Sequence, residues 1–243
     1  PRRDSVRLVE TVVELCKTRL PDHMGIPADQ IQVLTPTRKG ASGTVNLNRC
    51  LQEALNPKTP DKREILWGER LFREGDRIMQ TRNDYDVVWE KEDGTVGTGM
   101  FNGDVGKITQ IDPSGEWLSV DFDGRSALYG VEQLAELDLA YAQTVHKAQG
   151  SEYRAVVLAA MPAAQSLMVR GVLYTALTRA RELLVVVGDD AAIRSGIEMA
   201  AVPRKRTARE LRKERRHKRL SLFFIHTKIG PILVPFGMHT SIQ

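Results

Sequence analysis

Three short runs of apolar and β-branched residues constrain the fold of this chain most strongly. They lie at residues 137–141, 155–158 and 183–187, and segments with helical spacing of apolar residues alternate with them. A fourth run, Ile31–Thr35, ends at Pro36 and precedes the helical stripe of Leu47, Leu51 and Leu55. Such alternation is typical of buried parallel strands joined by helices. The sequence therefore predicts an α/β layer with a parallel sheet.

Between residues 75 and 134 the pattern changes to that of short antiparallel strands. Apolar and polar residues alternate over residues 118–123, and residues 77–80 and 105–111 form similar short runs. The dipeptides Asn102-Gly103 and Asp123-Gly124 are typical of hairpin turns. We expect a small antiparallel barrel that interrupts the α/β domain.

These patterns divide the chain into four regions. Residues 1–74 and 135–201 would form the two parts of the α/β domain, residues 75–134 the inserted barrel, and residues 202–243 a basic tail. Within the first part, residues 8–15 predict a helix that stops at Pro21, and residues 191–200 predict another helix. For the tail, disorder, a solvated helix and a DNA-binding arm remain alternatives.

The charge distribution and the cysteine content bear on nucleic-acid binding, on metal binding and on the cellular compartment. Residues 204–219 hold ten Lys or Arg and two Glu, so the remainder of this chain of net charge +4 carries a net charge of −4. Bulk charge therefore gives no support to nucleic-acid binding by the body. Cys16 and Cys50 lack the spacing of metal ligands, which favours a reduced, cytosolic protein. We find no pattern of a signal peptide or membrane span.

Two segments carry residues suited to binding phosphate. The first, residues 144–153, reads Thr-Val-His-Lys-Ala-Gln-Gly-Ser-Glu-Tyr and lies between two predicted strands, where we expect it at the carboxyl ends of the sheet. The second, residues 174–181, has an apolar helical stripe from which Arg179 departs. A guanidinium on a rigid helix suits phosphate oxygens. A polar turn and a solvated arginine are the ordinary alternatives.

Together these segments resemble motifs V and VI of superfamily-one helicases, and their variants most resemble the RecD branch. Residues 31–40 are similar to motif IV of that branch, and residues 75–80 with 101–106 resemble the segments that bracket its SH3-like insertion. The resemblance implies a second RecA-like domain interrupted by an SH3-like barrel. Residues 87–100 are longer than the usual connection in that barrel. In the family the barrel helps cover single-stranded DNA; a structural or protein-binding barrel is the alternative.

The resemblance also implies a role for individual residues. Arg179 would be the arginine finger on the γ-phosphate of ATP. Arg38, Gly150 and Glu152 would contact the nucleotide, with Glu152 on the ribose hydroxyl. The residues implied to contact the single-stranded DNA backbone are Thr144, His146 and Lys147. For Arg38 and His146, a surface arginine and a hydrogen-bonded histidine remain the alternatives. The RecD branch further implies 5′ to 3′ polarity.

Hydrolysis of ATP needs parts that this sequence lacks. No Gly-Lys-Ser/Thr and no Asp-Glu dipeptide occurs in the chain, so the phosphate loop and most Mg²⁺ ligands are expected in a preceding N-terminal RecA-like domain. The chain alone, which begins without Met, is expected to be an inactive fragment of the helicase. Two alternatives are the helicase half of a conjugative relaxase and a nucleic-acid-binding module without ATPase activity. The sequence preceding Pro1 would discriminate between them.

Overall fold

A computed structural model describes residues 2–148, 150–160, 170–188, 221–226 and 230–233. Its helices are α1 (Arg2–Glu14), α2 (Leu20–Met24), α3 (Thr44–Leu55) and α4 (Arg170–Arg179). Its strands are β1 (Ile31–Thr35), β2 (Glu64–Trp67), β3 (Arg70–Arg73), β4 (Arg77–Gln80), β5 (Asp84–Glu90), β6 (Val96–Met100), β7 (Val105–Ile111), β8 (Trp117–Asp121), β9 (Ser126–Gly130), β10 (Leu137–Leu139), β11 (Ala142–Thr144), β12 (Tyr153–Ala160), β13 (Ala180–Gly188), β14 (Ser221–His226) and β15 (Gly230–Leu233). The predicted helix at residues 191–200 and the charge run at 204–219 lie outside the described residues.

The described chain divides into two compact units. The first comprises the described residues of 1–47 and 142–243, and the second comprises residues 48–141. The sequence had suggested limits at residues 75 and 134 instead. The difference arises because most of α3 and the whole of β10 make their hydrogen bonds within the second unit, a preference that the apolar pattern does not reveal.

The first unit is built on a six-stranded sheet with the order β11-β1-β12-β13-β14-β15. The five strands from β11 to β14 run parallel to their neighbours, and β15 is antiparallel to β14. This sheet confirms the predicted α/β class. Strands β14 and β15 come from the tail, for which the sequence predicted no strand.

One face of this sheet is covered by α4 and by part of residues 144–153. Leu34, Val156, Leu158, Leu184 and Val186 of the sheet pack there with other buried apolar residues, namely Val145, Ala148, Val172, Ala176 and Ala180. Residues 144–153 are therefore fixed partly by burial of apolar surface and do not form a free loop.

Helix α1 leads through a π-helical turn, Leu15–Arg19, into α2, so the predicted end of the helix at Pro21 is wrong. Pro21 lies just after the π-helical turn passes into α2, and the helical backbone continues past it to Met24. The helix ends at Gly25, whose φ of 61° is left-handed and whose N–H bonds to the carbonyls of Leu20 and Pro21. In the described part of the chain no helix is long and apolar enough to span a membrane.

The second unit contains a seven-stranded antiparallel sheet with the order β10-β4-β7-β8-β9-β5-β6. A separate hairpin, β2 with β3, was missed by sequence reasoning. Asp123-Gly124 joins the paired strands β8 and β9, as predicted, with both residues at positive φ. Asn102-Gly103 is a turn between β6 and β7, but these strands do not pair, so the hairpin expected there is wrong.

The prediction of a parallel strand at residues 137–141 is also wrong. Residues Leu137–Leu139 form β10, which pairs antiparallel with β4 in the second unit. The parallel strand is the next element, β11. Leu137 and Leu139 are buried, and Asp138 between them is half-buried. Such alternation is typical of antiparallel strands, but a run of three residues is too short to reveal it in the sequence.

A fully buried carboxylate, Asp76, connects the elements of the second unit. It accepts hydrogen bonds from Gln52 Nε2 at 2.5 Å, Asn56 Nδ2 at 2.7 Å and the Arg73 backbone N–H at 2.7 Å. The Tyr141 hydroxyl donates a fourth at 3.0 Å. Burial raises the pKa of Asp76, and the four donors oppose that shift. Asp76 thus joins α3 to the antiparallel strands.

Candidate functional site

The parallel sheet presents its chemistry-bearing residues at two opposite edges. In register, Thr35 of β1 lies beside Thr144 of β11, so both strands end at the same edge, here termed the carboxyl edge. Strands β12 and β13 begin at Tyr153 and Ala180, which are paired at the opposite edge, termed the amino edge. Tyr153 lies six residues before Ala159, so the two edges are about 20 Å apart along a strand.

Residues 144–153 cross the sheet from one edge to the other. Thr144 ends β11 at the carboxyl edge, Val145 and Ala148 are buried on the sheet face, and Gly150 to Glu152 immediately precede β12 at the amino edge. The expectation that the whole segment lies at the carboxyl ends is therefore wrong for its second half. Burial of the apolar residues at 145 and 148 against the sheet places the chain across this face.

At the carboxyl edge, Thr144 is half-buried and His146 is exposed. The Thr144 carbonyl accepts hydrogen bonds from the backbone N–H groups of Lys147 at 2.9 Å and Ala148 at 3.2 Å. The N–H of Val145 donates to the Thr35 carbonyl at 3.1 Å. This turn holds the backbone of Thr144, His146 and Lys147 rigidly beside the end of β1.

Arg38 also lies at the carboxyl edge, three residues after β1 ends, and its side chain is exposed. Its backbone therefore follows the end of the sheet at which Thr144 lies, whereas Arg179 precedes β13 at the amino edge. The following turn enters α3, because Thr44 N–H bonds to the Thr37 carbonyl at 3.1 Å and Val45 N–H to the Arg38 carbonyl at 3.2 Å. These two amides are therefore already satisfied within the turn and are not free to bind a phosphate.

At the amino edge, Arg179 ends α4 and is half-buried. One guanidinium nitrogen donates to the Ser151 carbonyl at 2.9 Å, and two others lie 3.3 and 3.4 Å from Thr178 Oγ1. Arg179 and Ser151, which belong to the two different motif-like segments, are thus hydrogen-bonded directly. A guanidinium carries five N–H donors, so these contacts orient it while leaving donors for a ligand.

Glu152 and Gly150 lie beside Arg179 in the chain segment that it contacts. Glu152 Oε2 is 3.3 Å from Arg181 Nε, and both side chains are largely exposed. An exposed ion pair of this kind contributes little free energy and exchanges readily with a ligand group. Gly150 has a φ of 97°, which favours glycine, and no described atom lies within 4 Å of where a Cβ would be.

Two further groups were missed by sequence reasoning. Arg154 at the start of β12 pairs with Glu182 at 2.8 Å and donates to the Gly25 carbonyl and Gln30 Oε1, each at 3.2 Å, which anchors the amino edge. In the second unit, Tyr85 and Phe101 form an exposed edge-to-face pair with centroids 5.8 Å apart. The turn at Asn102-Gly103 was the only sequence signal near that pair.

Comparison with known proteins places these observations in a family. A family profile described as "ATP-dependent RecD-like DNA helicase SH3 domain" matches residues 47–122, and one described as "UvrD-like helicase C-terminal domain" matches residues 139–187. The chain is 40% identical over 162 residues to the ATP-dependent RecD2 DNA helicase of Deinococcus radiodurans, covering 67% of this chain and 20% of that protein.

A second relative is the RecBCD enzyme subunit RecD of Mycolicibacterium smegmatis, 31% identical over 174 residues, which are 72% of this chain and 28% of that protein. The chain thus spans between a fifth and three tenths of the length of these relatives. A crystal structure of Bacteroides Pif1 bound to ssDNA aligns at a TM-score of 0.41 with 19% identity, covering 76% of this chain and 44% of that one.

Proposed function

This chain belongs to the RecD-like helicases, of which it is a C-terminal region, and we propose that it serves as the second motor domain of an ATP-dependent DNA helicase. In this proposal the chain supplies an arginine finger to ATP and part of a track for single-stranded DNA. The observation that carries it is the separation of the two groups of residues onto opposite edges of one parallel sheet.

The amino edge would face ATP bound against a preceding RecA-like domain. Arg179, oriented by the Ser151 carbonyl, would stabilise charge developing on the γ-phosphate. Glu152 would exchange its exposed contact with Arg181 for a ribose hydroxyl, and Gly150 would let the backbone approach the phosphates. Charge, hydrogen-bonding groups and open space there suit a nucleotide.

Magnesium would accompany the nucleotide, with its ligands in the preceding domain. Among the described residues no cluster of three or more His, Cys, Asp or Glu side chains is arranged to hold a metal ion. The contribution proposed for this chain is therefore to the phosphates and ribose rather than to the metal. We also propose translocation with 5′ to 3′ polarity, because the RecD branch implies it.

The carboxyl edge would contact the DNA backbone. Thr144, His146 and Lys147 offer a hydroxyl, an imidazole and an ammonium, which bind phosphate without reading sequence. Arg38 lies at this edge, so we propose that it contacts DNA phosphate instead of the nucleotide role suggested by motif resemblance. Binding there would be sequence-tolerant and sensitive to salt.

Replacing Thr144 and His146 together by alanine in the full-length protein is expected to weaken single-strand affinity about thirtyfold, since each of the two lost hydrogen bonds to phosphate contributes about 1 kcal/mol and about 1.4 kcal/mol is a factor of ten. DNA-stimulated ATP hydrolysis should fall with affinity while basal hydrolysis changes little. Fluorescence anisotropy with oligothymidylate and a coupled ATPase assay measure both.

The matched control replaces Thr18 and His23, an exposed pair in the helical segment before β1, by alanine. It should leave affinity within about twofold of the wild-type value, the spread expected of an exposed surface change. An equal loss of basal and DNA-stimulated hydrolysis in the Thr144 and His146 variant would contradict the assignment and indicate damage to the fold.

We further propose that the antiparallel sheet of the second unit is an SH3-like barrel, inserted in the RecA-like fold, that helps cover the DNA. Its match to the RecD-like SH3 profile supports this. The exposed pair of Tyr85 and Phe101, with Arg82 exposed nearby in sequence, offers rings for base stacking and a cation for phosphate.

Replacing Tyr85 and Phe101 by alanine should weaken oligothymidylate binding of the full-length protein about tenfold, because a stacked base contributes about 1–3 kcal/mol. The salt dependence of binding should stay unchanged, since no phosphate contact is removed. Anisotropy titrations at several salt concentrations test both statements. Leu66→Ala, a change of an exposed apolar residue in the same unit, serves as control. Equal effects of the two variants would refute stacking.

Two other functions share some of these features. The helicase half of a conjugative relaxase would carry the same motifs behind an N-terminal nickase with a histidine-cluster metal site. A nucleic-acid-binding module without ATPase activity would lack a Gly-Lys-Ser/Thr loop upstream. ATPase activity of the full-length protein that depends on Arg179 would exclude the second alternative.

A further inference from the structure

One face of the antiparallel sheet carries apolar side chains in contact with solvent. Val88 of β5, Val96 of β6 and Leu128 of β9 are 56%, 61% and 62% exposed. On β9, Ala127 and Tyr129 are buried on the opposite side, so Ser126 and Leu128 point outward. We call the outward side of β5, β6, β8 and β9 the outer face.

The strand register makes these apolar residues neighbours. Trp89 pairs with Ala127 and Glu90 with Ser126, so Val88 is the cross-strand neighbour of Leu128. Glu90 pairs with Val96 in the other direction, which sets Val96 diagonally beside Val88. Single exposed apolar residues are ordinary, but a contiguous group marks a binding surface.

The outer face is concave and acidic. It lines an open cavity of about 910 Å³. The charged residues of that lining are four carboxylates and one ammonium, a net charge of −3: Asp86, Glu90, Glu92, Asp121 and Lys91. This negative field repels the phosphate backbone of nucleic acids and attracts a cationic partner.

Strand β5, which lines the cavity, is held by packing on its other side. The ring of Trp89 lies directly over Gly97, where a Cβ would come within 2.3 Å of a ring carbon. Arg125 and Lys91 lie 5.9 Å from the ring centroid. Because Trp89 pairs with Ala127 and Gly97, its ring lies on the side of the sheet opposite the outer face, where it packs β5 against β6. A β5 held in this way before any partner arrives lowers the entropic cost of binding on the outer face.

The cavity, its negative charge and its exposed apolar residues lead us to propose that the outer face binds a basic peptide segment of a partner protein. Aliphatic side chains of the peptide would contact Val88, Val96 and Leu128. Lys or Arg side chains of the peptide would pair with the carboxylates. This site is separate from the nucleotide and DNA contacts proposed above. It gives the long hairpin of β5 and β6, which departs from the usual family connection, a protein-binding role.

The probe for this proposal is a labelled ten-residue peptide, Lys-Lys-Leu-Leu-Lys-Lys-Leu-Leu-Lys-Lys, titrated onto the full chain by anisotropy. A second peptide with serine in place of leucine keeps the charge and removes the aliphatic groups. We expect the serine peptide to bind at least tenfold more weakly. Equal affinities would mean attraction by charge alone and would overturn the proposal.

Substitutions on the outer face supply the second arm. Val88→Thr combined with Leu128→Ser should weaken the leucine peptide at least tenfold, and Glu90→Lys combined with Asp121→Lys should weaken both peptides at least tenfold. Leu66→Ser and Glu69→Lys, exposed positions of the same unit outside the cavity lining, are the matched controls and should change affinity less than twofold. Circular dichroism of each variant verifies the fold.

Two outcomes identify a different occupant and would overturn the proposal. If Val88→Thr with Leu128→Ser weakens oligothymidylate binding and leaves peptide binding unchanged, the outer face binds nucleic acid. If the same variant converts a self-associating chain to a monomer in sedimentation velocity, the face is an interface between two copies. Selective loss of the leucine peptide supports the proposal.

Discussion

Arg179→Ala in the full-length protein is expected to lower kcat for ATP hydrolysis by about a factor of 10³ or more, the scale of arginine fingers in related enzymes. The loss should fall on kcat rather than on KM, because the guanidinium acts mainly on charge that develops in the transition state. Single-strand affinity should stay within about twofold, because the carboxyl edge lies about 20 Å away.

Two comparison variants make this test specific. Arg179→Lys keeps the charge but loses the planar fork held by Ser151 and Thr178, so its activity should recover only in part. Arg181→Ala should mainly alter KM for ATP, since this side chain contacts Glu152. Steady-state kinetics of the three proteins separate these effects, and an Arg179→Ala variant with wild-type kcat would refute the arginine finger.

Asp76→Leu is expected to destabilise the second unit by at least about 3 kcal/mol. The substitution leaves buried donors of Gln52, Asn56 and Tyr141 without their acceptor, and each unsatisfied buried group costs about 1–3 kcal/mol. Urea denaturation of the full chain, followed by tryptophan fluorescence, measures this change through Trp67, Trp89 and Trp117. All three tryptophans lie within the second unit.

Asp76→Asn is the graded partner of that variant. It retains one oxygen acceptor and presents an NH₂ group to residues that are themselves donors, so its cost should lie between wild type and Asp76→Leu. Glu69→Leu, at an exposed position of the same unit, should change stability by less than about 0.5 kcal/mol. If Asp76→Leu were no more destabilising than Glu69→Leu, the hydrogen bonds to Asp76 would contribute nothing to the stability of the second unit.

The amino-acid sequence by itself determined the elements that depend on local patterns. Apolar β-branched runs predicted β1, β12 and β13 because strands buried on both faces are continuously apolar. The stripes around Leu51 and Ala176 predicted α3 and α4 because the helical period places them on one face. Arg179 also stood out in the sequence because it departs from an apolar helical stripe, and Glu152 because its segment resembles a helicase motif.

Only the tertiary structure decided which residues meet. Burial of the apolar residues Val145 and Ala148 holds the chain on the sheet face, so Thr144 and Glu152 lie at opposite edges although they are only eight positions apart in the sequence. Strand β10 pairs antiparallel in the second unit because partners are chosen by burial and backbone hydrogen bonds across the fold. Asp76 shows no local signal, because its buried contacts reach residues up to 65 positions away. Local periodicity specifies each element, whereas long-range packing specifies its neighbours.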